Sequence, residues 1–188
     1  MTIQNELKQV IRARRSVKDH YLDKPVTKET VLSLLDDAVW APTHGKREPW
    51  RFIFVSPEDK SEFARDIAST YPEHMQENRE AYLNEPNAFL IAIMQAPEKQ
   101  KQWDENFGAM ASLLHNFSLL AWTEGLGVCW KTNPHIYDEQ VRKKLHVADD
   151  EKIVGFIHLG YFDTAAYEAE ADERKRIDPR EKLTTYPL

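Results

Sequence analysis

The chain holds 188 residues, of which 41% are apolar and 11% aromatic, enough for one buried core and too little for two ordinary ones. Its 30% charged residues and mean hydropathy of -0.63 are polar values, yet eight Phe, seven Tyr and five Trp supply the apolar area that a disordered acidic chain lacks. A net charge of -6 gives no attraction to a polyphosphate backbone, which argues against nucleic acid as a partner.

The first residues, Met1 to Lys8, carry polar residues throughout and no apolar h-region, so no signal peptide is expected there. The longest apolar stretch, Ala88 to Met94, falls far short of the roughly 20 residues that span a bilayer as a helix. The expectation is a soluble, cytoplasmic protein with no membrane partner. A single cysteine, Cys129, leaves no internal disulfide and no C-x-x-C motif.

Ile3, Leu7, Val10 and Ile11 stand at helical spacing over residues 3 to 14, and Val31, Leu34, Leu35, Ala38 and Val39 repeat the pattern over 28 to 41. Thr27 is placed to cap the second helix and Pro42 to stop it. Trp50 to Val55 is aromatic and β-branched, a strand, and Ser56-Pro57-Glu58-Asp59 opens a helix directly after it. Glu73 to Leu83 predicts a surface helix or lid, followed by a turn at 84–87 and a strand over Ala88 to Gln95. Between Asp104 and Glu124 the apolar face is so wide that the helix is expected to be surrounded by protein. Gly125 ends that helix, Val128 to Lys131 starts a short strand, Asp138 caps a helix bearing Val141 and Leu145, and Ile153 to Gly160 forms another strand. Residues 161–188 are charged and aperiodic, an extended tail expected to wrap something. No internal repeat or Gly/Ser linker interrupts the order, which predicts an α+β domain with a mixed sheet flanked by helices.

Three segments carry chemistry. Arg14, Arg15, Ser16 and Lys18 follow the first helix; adjacent guanidiniums can hold a phosphate bidentately, although basic residues also answer the dipole at a helix C-terminus. Trp40 to Trp50 is a stiff loop with two prolines, His44 and flanking tryptophans, suited to a flat heteroaromatic ring or to a plain rigid connection. Gly125 to Pro134 contains Trp130, Lys131 and Thr132 but lacks the spacing of a Rossmann turn or a P-loop. No H-E-x-x-H or G-x-S-x-G occurs and the seven histidines do not cluster at metal-ligand spacing, so no metal is expected.

Taken together and in this order, Arg14-Arg15-Ser16, the Ala-Pro-x-His-x(4)-Pro-Trp loop at 41–50 and the Gly-Leu-Gly to Trp-Lys-Thr segment at 125–132 resemble the flavin-dependent nitroreductases, in particular the small NAD(P)H nitroreductases. The resemblance covers nearly the whole chain. It implies one nitroreductase-like FMN-binding domain over 1–188, with a mainly antiparallel sheet and a C-terminal tail over 161–188 exchanged between subunits of a homodimer. It also implies FMN at the subunit interface and NADH or NADPH as reductant. Its phosphate and ribityl chain would meet Arg14, Arg15 and Ser16, with Lys18 near the pyrimidine edge. Trp40 and His44 would reach it from the partner subunit, and Trp130, Lys131 and Thr132 would pass along the ring. Arg174 and Arg176 would return to the phosphate, a role for which Lys175, Arg180 and Lys182 compete. Where some members carry Asn-Glu-Arg-Lys before the second strand, this sequence reads Tyr82-Leu83-Asn84-Glu85-Pro86-Asn87.

The implied activity is ping-pong reduction of a nitroaromatic, quinone or similar small-molecule acceptor. No catalytic side chain is named, because the flavin carries the chemistry. Alternatives are a specialised flavin reaction such as dehalogenation or dehydrogenation, a flavin-binding protein without turnover, and a thiol enzyme using Cys129.

Overall fold

β2 (Ala88–Gln95) is buried on both faces, because it lies inside a four-stranded sheet of order β1-β2-β4-β3 with helices on either side. The computed structural model describes residues 3–168 and 176–186. β1 (Trp50–Val55), β3 (Leu126–Lys131) and β4 (Glu151–Tyr161) complete the sheet, and all three pairings are antiparallel. The register shifts between Ala92 and Ile93, where β4 carries an extra residue.

One face of the sheet packs on α2 (Lys28–Ala38) and α5 (Gln100–Thr123), through Val31, Leu34, Met110, Leu113 and Phe117 against Leu90, Met94 and Ile157. The other face packs on α3 (Lys60–Ala68), α4 (Glu73–Asn84) and α6 (Glu139–Lys144), through Ile67, Leu83 and Val141 against Phe89, Ile91 and Phe156. Two such faces explain why the β2 sequence is continuously apolar instead of alternating. α1 (Ile3–Ala13) lies outside these layers and leaves Leu7 and Ile11 exposed.

The caps follow the sequence. Thr27 accepts the Thr30 N–H, and the Asp138 carboxylate accepts from Gln140 and Val141. Gly125, at φ 69°, ends α5 in the left-handed conformation that a side chain would disfavour.

Several boundaries differ from expectation. α2 stops at Ala38, and tight turns of Trp40 onto Asp37 and Ala41 onto Ala38 precede Pro42, which disfavours helical backbone before it. α3 begins at Lys60, because Ser56 Oγ accepts the Asp59 N–H and makes a side-chain turn over 56–59. α5 begins at Gln100, one turn before the expected start; Gln100 and Asp104 bridge that turn, and Trp103 in it stacks on Phe107 and extends the apolar face. It is also covered on one face only: Gly108, Ala111, Ser112, His115 and Leu119 form a half-exposed or exposed stripe opposite the core.

The tail is not uniform. Its first part turns back on its own chain as α7 (Thr164–Glu168), where Phe162 and Tyr167 bury against Val17 and Trp122. Residues 176–186 hold one short turn at Pro179–Glu181 and expose Ile177, Leu183 and Tyr186.

Candidate functional site

The strip after α1 runs beside the free edge of β3. Ser16 bridges Val128 in parallel orientation, and the Val17 N–H donates to the Val128 carbonyl at 3.2 Å. The approach is closer than two side chains allow. A Cβ on Gly127 would lie 2.6 Å from the Val17 Cβ, so glycine is what admits Val17 there.

This pairing brings two of the three sequence segments together. The Cys129 thiol lies within the field of Lys131 and Lys18 and the reach of the Ser16 hydroxyl, so cations from the strip and from β3 share one edge of the sheet. Burial pushes the Cys129 thiol up, and these neighbours only partly offset it. Cys129 is 3% exposed. A buried thiol held protonated is the reverse of an activated nucleophile.

Lys131 pairs with Phe156 and its ammonium stands 5.4 Å from the Tyr82 ring centre on α4. Burial lowers its affinity for the proton, but the hydrogen bond with Tyr82 and the charge of Glu85 outweigh this and raise it. Lys131 therefore stays cationic. Tyr82 is a site neighbour that periodicity did not single out, since an amphiphilic residue on a polar helix has no distinguishing pattern.

Trp130 is committed to its own sheet. Its indole crosses β4 where a Cβ on Gly155 would lie 2.3 Å from Nε1, and Nε1 donates to the Val154 carbonyl at 3.0 Å. Thr132 is exposed just past β3. Arg14 and Arg15 are half-buried. The Arg15 guanidinium donates to the Ala13 and Arg12 carbonyls, so it also serves as the cap of α1.

The third segment is elsewhere in the subunit. Trp40 is 86% exposed, and His44 Nδ1 stands 3.7 Å from Glu105, which Arg47 also engages. Val17, by contrast, packs in the cluster that Trp122 covers. Glu105 and Trp122 lie about 25 Å apart along the α5 axis at 1.5 Å per residue. One subunit therefore does not bring His44 to the Arg14–Lys18 strip, whereas Trp40 follows Ala38, whose carbonyl accepts from Asn116 nearer the middle of α5. Arg176 is exposed at the start of the described end segment, and Arg174 lies outside the described residues.

Sequence reasoning missed the residues that hold the strip in place. Tyr21 donates to the Val17 carbonyl at 2.9 Å, and the Tyr167 hydroxyl accepts the Lys18 N–H at 3.0 Å. Neither tyrosine belongs to a periodic pattern, and the second is about 150 residues from its partner, a closure only the fold makes.

The family model for the nitroreductase family matches residues 11–161. A Bacillus subtilis protein named "Putative NAD(P)H nitroreductase YfhC" is 32% identical over 186 residues, covering 95% of this chain and 93% of its own. The crystal structure of a nitroreductase-like family protein from Bacillus cereus superimposes with a TM-score of 0.87 at 31% identity, covering 100% of both chains. An FMN and NADPH-dependent nitroreductase, NfnB from a Sphigopyxis strain, shares the fold at 17% identity with a TM-score of 0.73, over 96% of this chain and 99% of that one. With its antiparallel sheet, its cationic strip and a match over most of its length, the chain belongs to the nitroreductase family.

Proposed function

We propose that the protein is a homodimeric, FMN-dependent oxidoreductase that draws electrons from NADH or NADPH and passes them to a small nitroaromatic, quinone or similar acceptor. The observation that carries this reading is the pairing of the Arg14–Lys18 strip with β3, which sets the Ser16 hydroxyl and the ammoniums of Lys18 and Lys131 around Cys129 at one sheet edge, with Arg14 and Arg15 directly before them in the chain. That donor set fits a phosphate beside a flat, electron-accepting ring. When bound, FMN supplies the two-electron exchange that no side chain offers.

The chain's own part is to bind and tune. Arg14, Arg15 and Ser16 hold the phosphate and ribityl chain; Arg15 would have to release the α1 carbonyls to do so. Lys18 sets a positive charge at the pyrimidine edge, which favours electron uptake, and the segment Trp130, Lys131 and Thr132 lines the ring. Reductant and acceptor take turns on the exposed side.

A second copy completes the site. His44 is too distant within one subunit, Trp40 is exposed, and the uncovered stripe of α5 with exposed Leu7 and Ile11 offers a surface for dimerisation. A groove of roughly 480 Å³ beside edge strand β1, lined by Leu32, Leu35, Phe52 and Phe54, can receive the apolar residues Leu183 and Tyr186 of a partner's tail. Arg174 and Arg176 would travel with that tail. In this reading residues 1–188 form one FMN-binding unit.

The test is an absorbance spectrum of purified protein before and after anaerobic NADH or NADPH. Bound flavin that is released on heating as FMN and bleaches with nicotinamide is the expected result. Flavin that never bleaches would point to a binding protein without turnover, and a colourless protein that refuses added FMN would overturn the proposal. Steady-state plots at several acceptor concentrations should run parallel; converging lines would rule out alternation at one face.

A further inference from the structure

We infer that Tyr167 is a positioning residue for this site, holding Lys18 in place from the chain's own tail. The inference rests on the FMN reading above and adds a residue to it.

The backbone of the strip is not held by a ladder. After the single bond from Val17 to Val128 it leaves the edge of β3, and the next two N–H groups turn to one phenol. The Tyr167 hydroxyl accepts from Lys18 N–H at 3.0 Å and from Asp19 N–H at 3.4 Å, and donates to Asp19 Oδ1 at 2.7 Å. One oxygen thus uses its acceptor sites and its proton on two consecutive residues. Its ring is 8% exposed and packs edge-on against Phe162 and His20. Burial raises the phenol above its ordinary range, so the proton needed for Asp19 is retained.

The consequence is mechanical. Lys18 is exposed and has a long, flexible stem, so its charge is useful to a bound ring only where its backbone is fixed. Tyr21 pins the residue before it, through the Val17 carbonyl. Tyr167 pins Lys18 itself. Asp163 N–H to His20 carbonyl, at 3.1 Å, ties the root of the tail to the same strip. Residues 162–167 therefore serve the subunit they belong to, before any exchange of the remaining tail.

The experiment is an FMN titration of apoprotein for wild type, Tyr167→Phe, Lys18→Ala and the double variant, followed by flavin fluorescence. Tyr167→Phe deletes the acceptor and leaves the ring packing, and the expected weakening of FMN binding is about fivefold, the worth of one net hydrogen bond. In the Lys18→Ala background the same change should alter the dissociation constant by less than about twofold, because there is no charge left to position. Equal weakening in both backgrounds would reveal a purely structural tyrosine and overturn the inference, as would an unchanged constant in Tyr167→Phe. Should that variant fail to fold, Asp19→Ala, at an exposed side chain, removes the partner that orients the hydroxyl. It should weaken binding in the same direction, and only when Lys18 is present; no effect would again overturn the inference. Wild-type protein that binds no FMN would overturn the flavin reading together with it, whereas tight wild-type binding with an indifferent Tyr167→Phe leaves that reading standing.

Discussion

A charge-assisted contact between a guanidinium and a phosphate is worth about 1.5–3 kcal/mol, more than a neutral hydrogen bond contributes. Arg14→Ala should therefore reduce FMN retention after dialysis much more than it lowers thermal stability, measured as flavin occupancy against melting midpoint. Full occupancy in the variant would remove Arg14 from the phosphate site. Charged residue types near a helix end were legible from the sequence; their division of labour was not. Arg15 turns back to cap α1, a choice set by which carbonyls lie within reach, and no residue type encodes that. Cys129 shows the same limit in reverse. Its identity permits a thiol enzyme, and only its burial in the sheet removes that option.

At the scale of elements, the strip and β3 depend on a missing side chain. Gly127→Ala places a methyl against Val17 at a distance that forces one of them to move. Because Val17 is wholly buried and its backbone bonds to Val128, the strip has to give. We expect a loss of about 1–3 kcal/mol in urea unfolding together with weaker FMN binding, and unchanged FMN affinity would separate the strip from the site. Periodicity revealed β2, α5 and α6 well, since apolar spacing and caps are local. It placed the start of α3 early by a few residues, because a serine side-chain turn leaves no apolar trace, and the start of α5 late, although Trp103 in the first turn stacks on Phe107. α7 escaped it altogether, being a single turn stabilised by what Tyr167 and Phe162 touch.

The whole molecule carries two buried neutral histidines. Burial, with the charge of Arg79 adding, lowers His135 to about 4; burial, with Lys131 adding, lowers His158 to about 3. Both folded values lie below the ordinary 6.5, so the unfolded chain binds more protons as pH falls and stability is lost in that direction. Stability should be level between about pH 7 and 8 and decline between about pH 6.5 and 4.5, by up to about 1.4 kcal/mol per pH unit for each histidine. Glu151, held low by its hydrogen bond with Arg51, adds to the loss only below its ordinary 4.5. Urea unfolding of His158→Phe at pH 5 and 7 should show about half the decline; an equal decline would mean that His158 is accessible to protons in the folded state. At the same scale, the proposed homodimer predicts that Leu119→Arg on the uncovered stripe of α5 shifts sedimentation from dimer to monomer and lowers FMN affinity with it. A variant that stays dimeric would place the interface elsewhere.

By itself the sequence determined the layered α+β character and the family, because apolar spacing, caps and short motifs are written in consecutive residues. What it could not determine is which segments meet. The tertiary structure decided that the Arg14–Lys18 strip lies on β3 while His44 stands far along α5, and that a tyrosine from the tail bonds the Lys18 backbone. Those outcomes depend on contacts between residues distant in the chain, whose closure is determined by the packing of the whole sheet and not by any local preference.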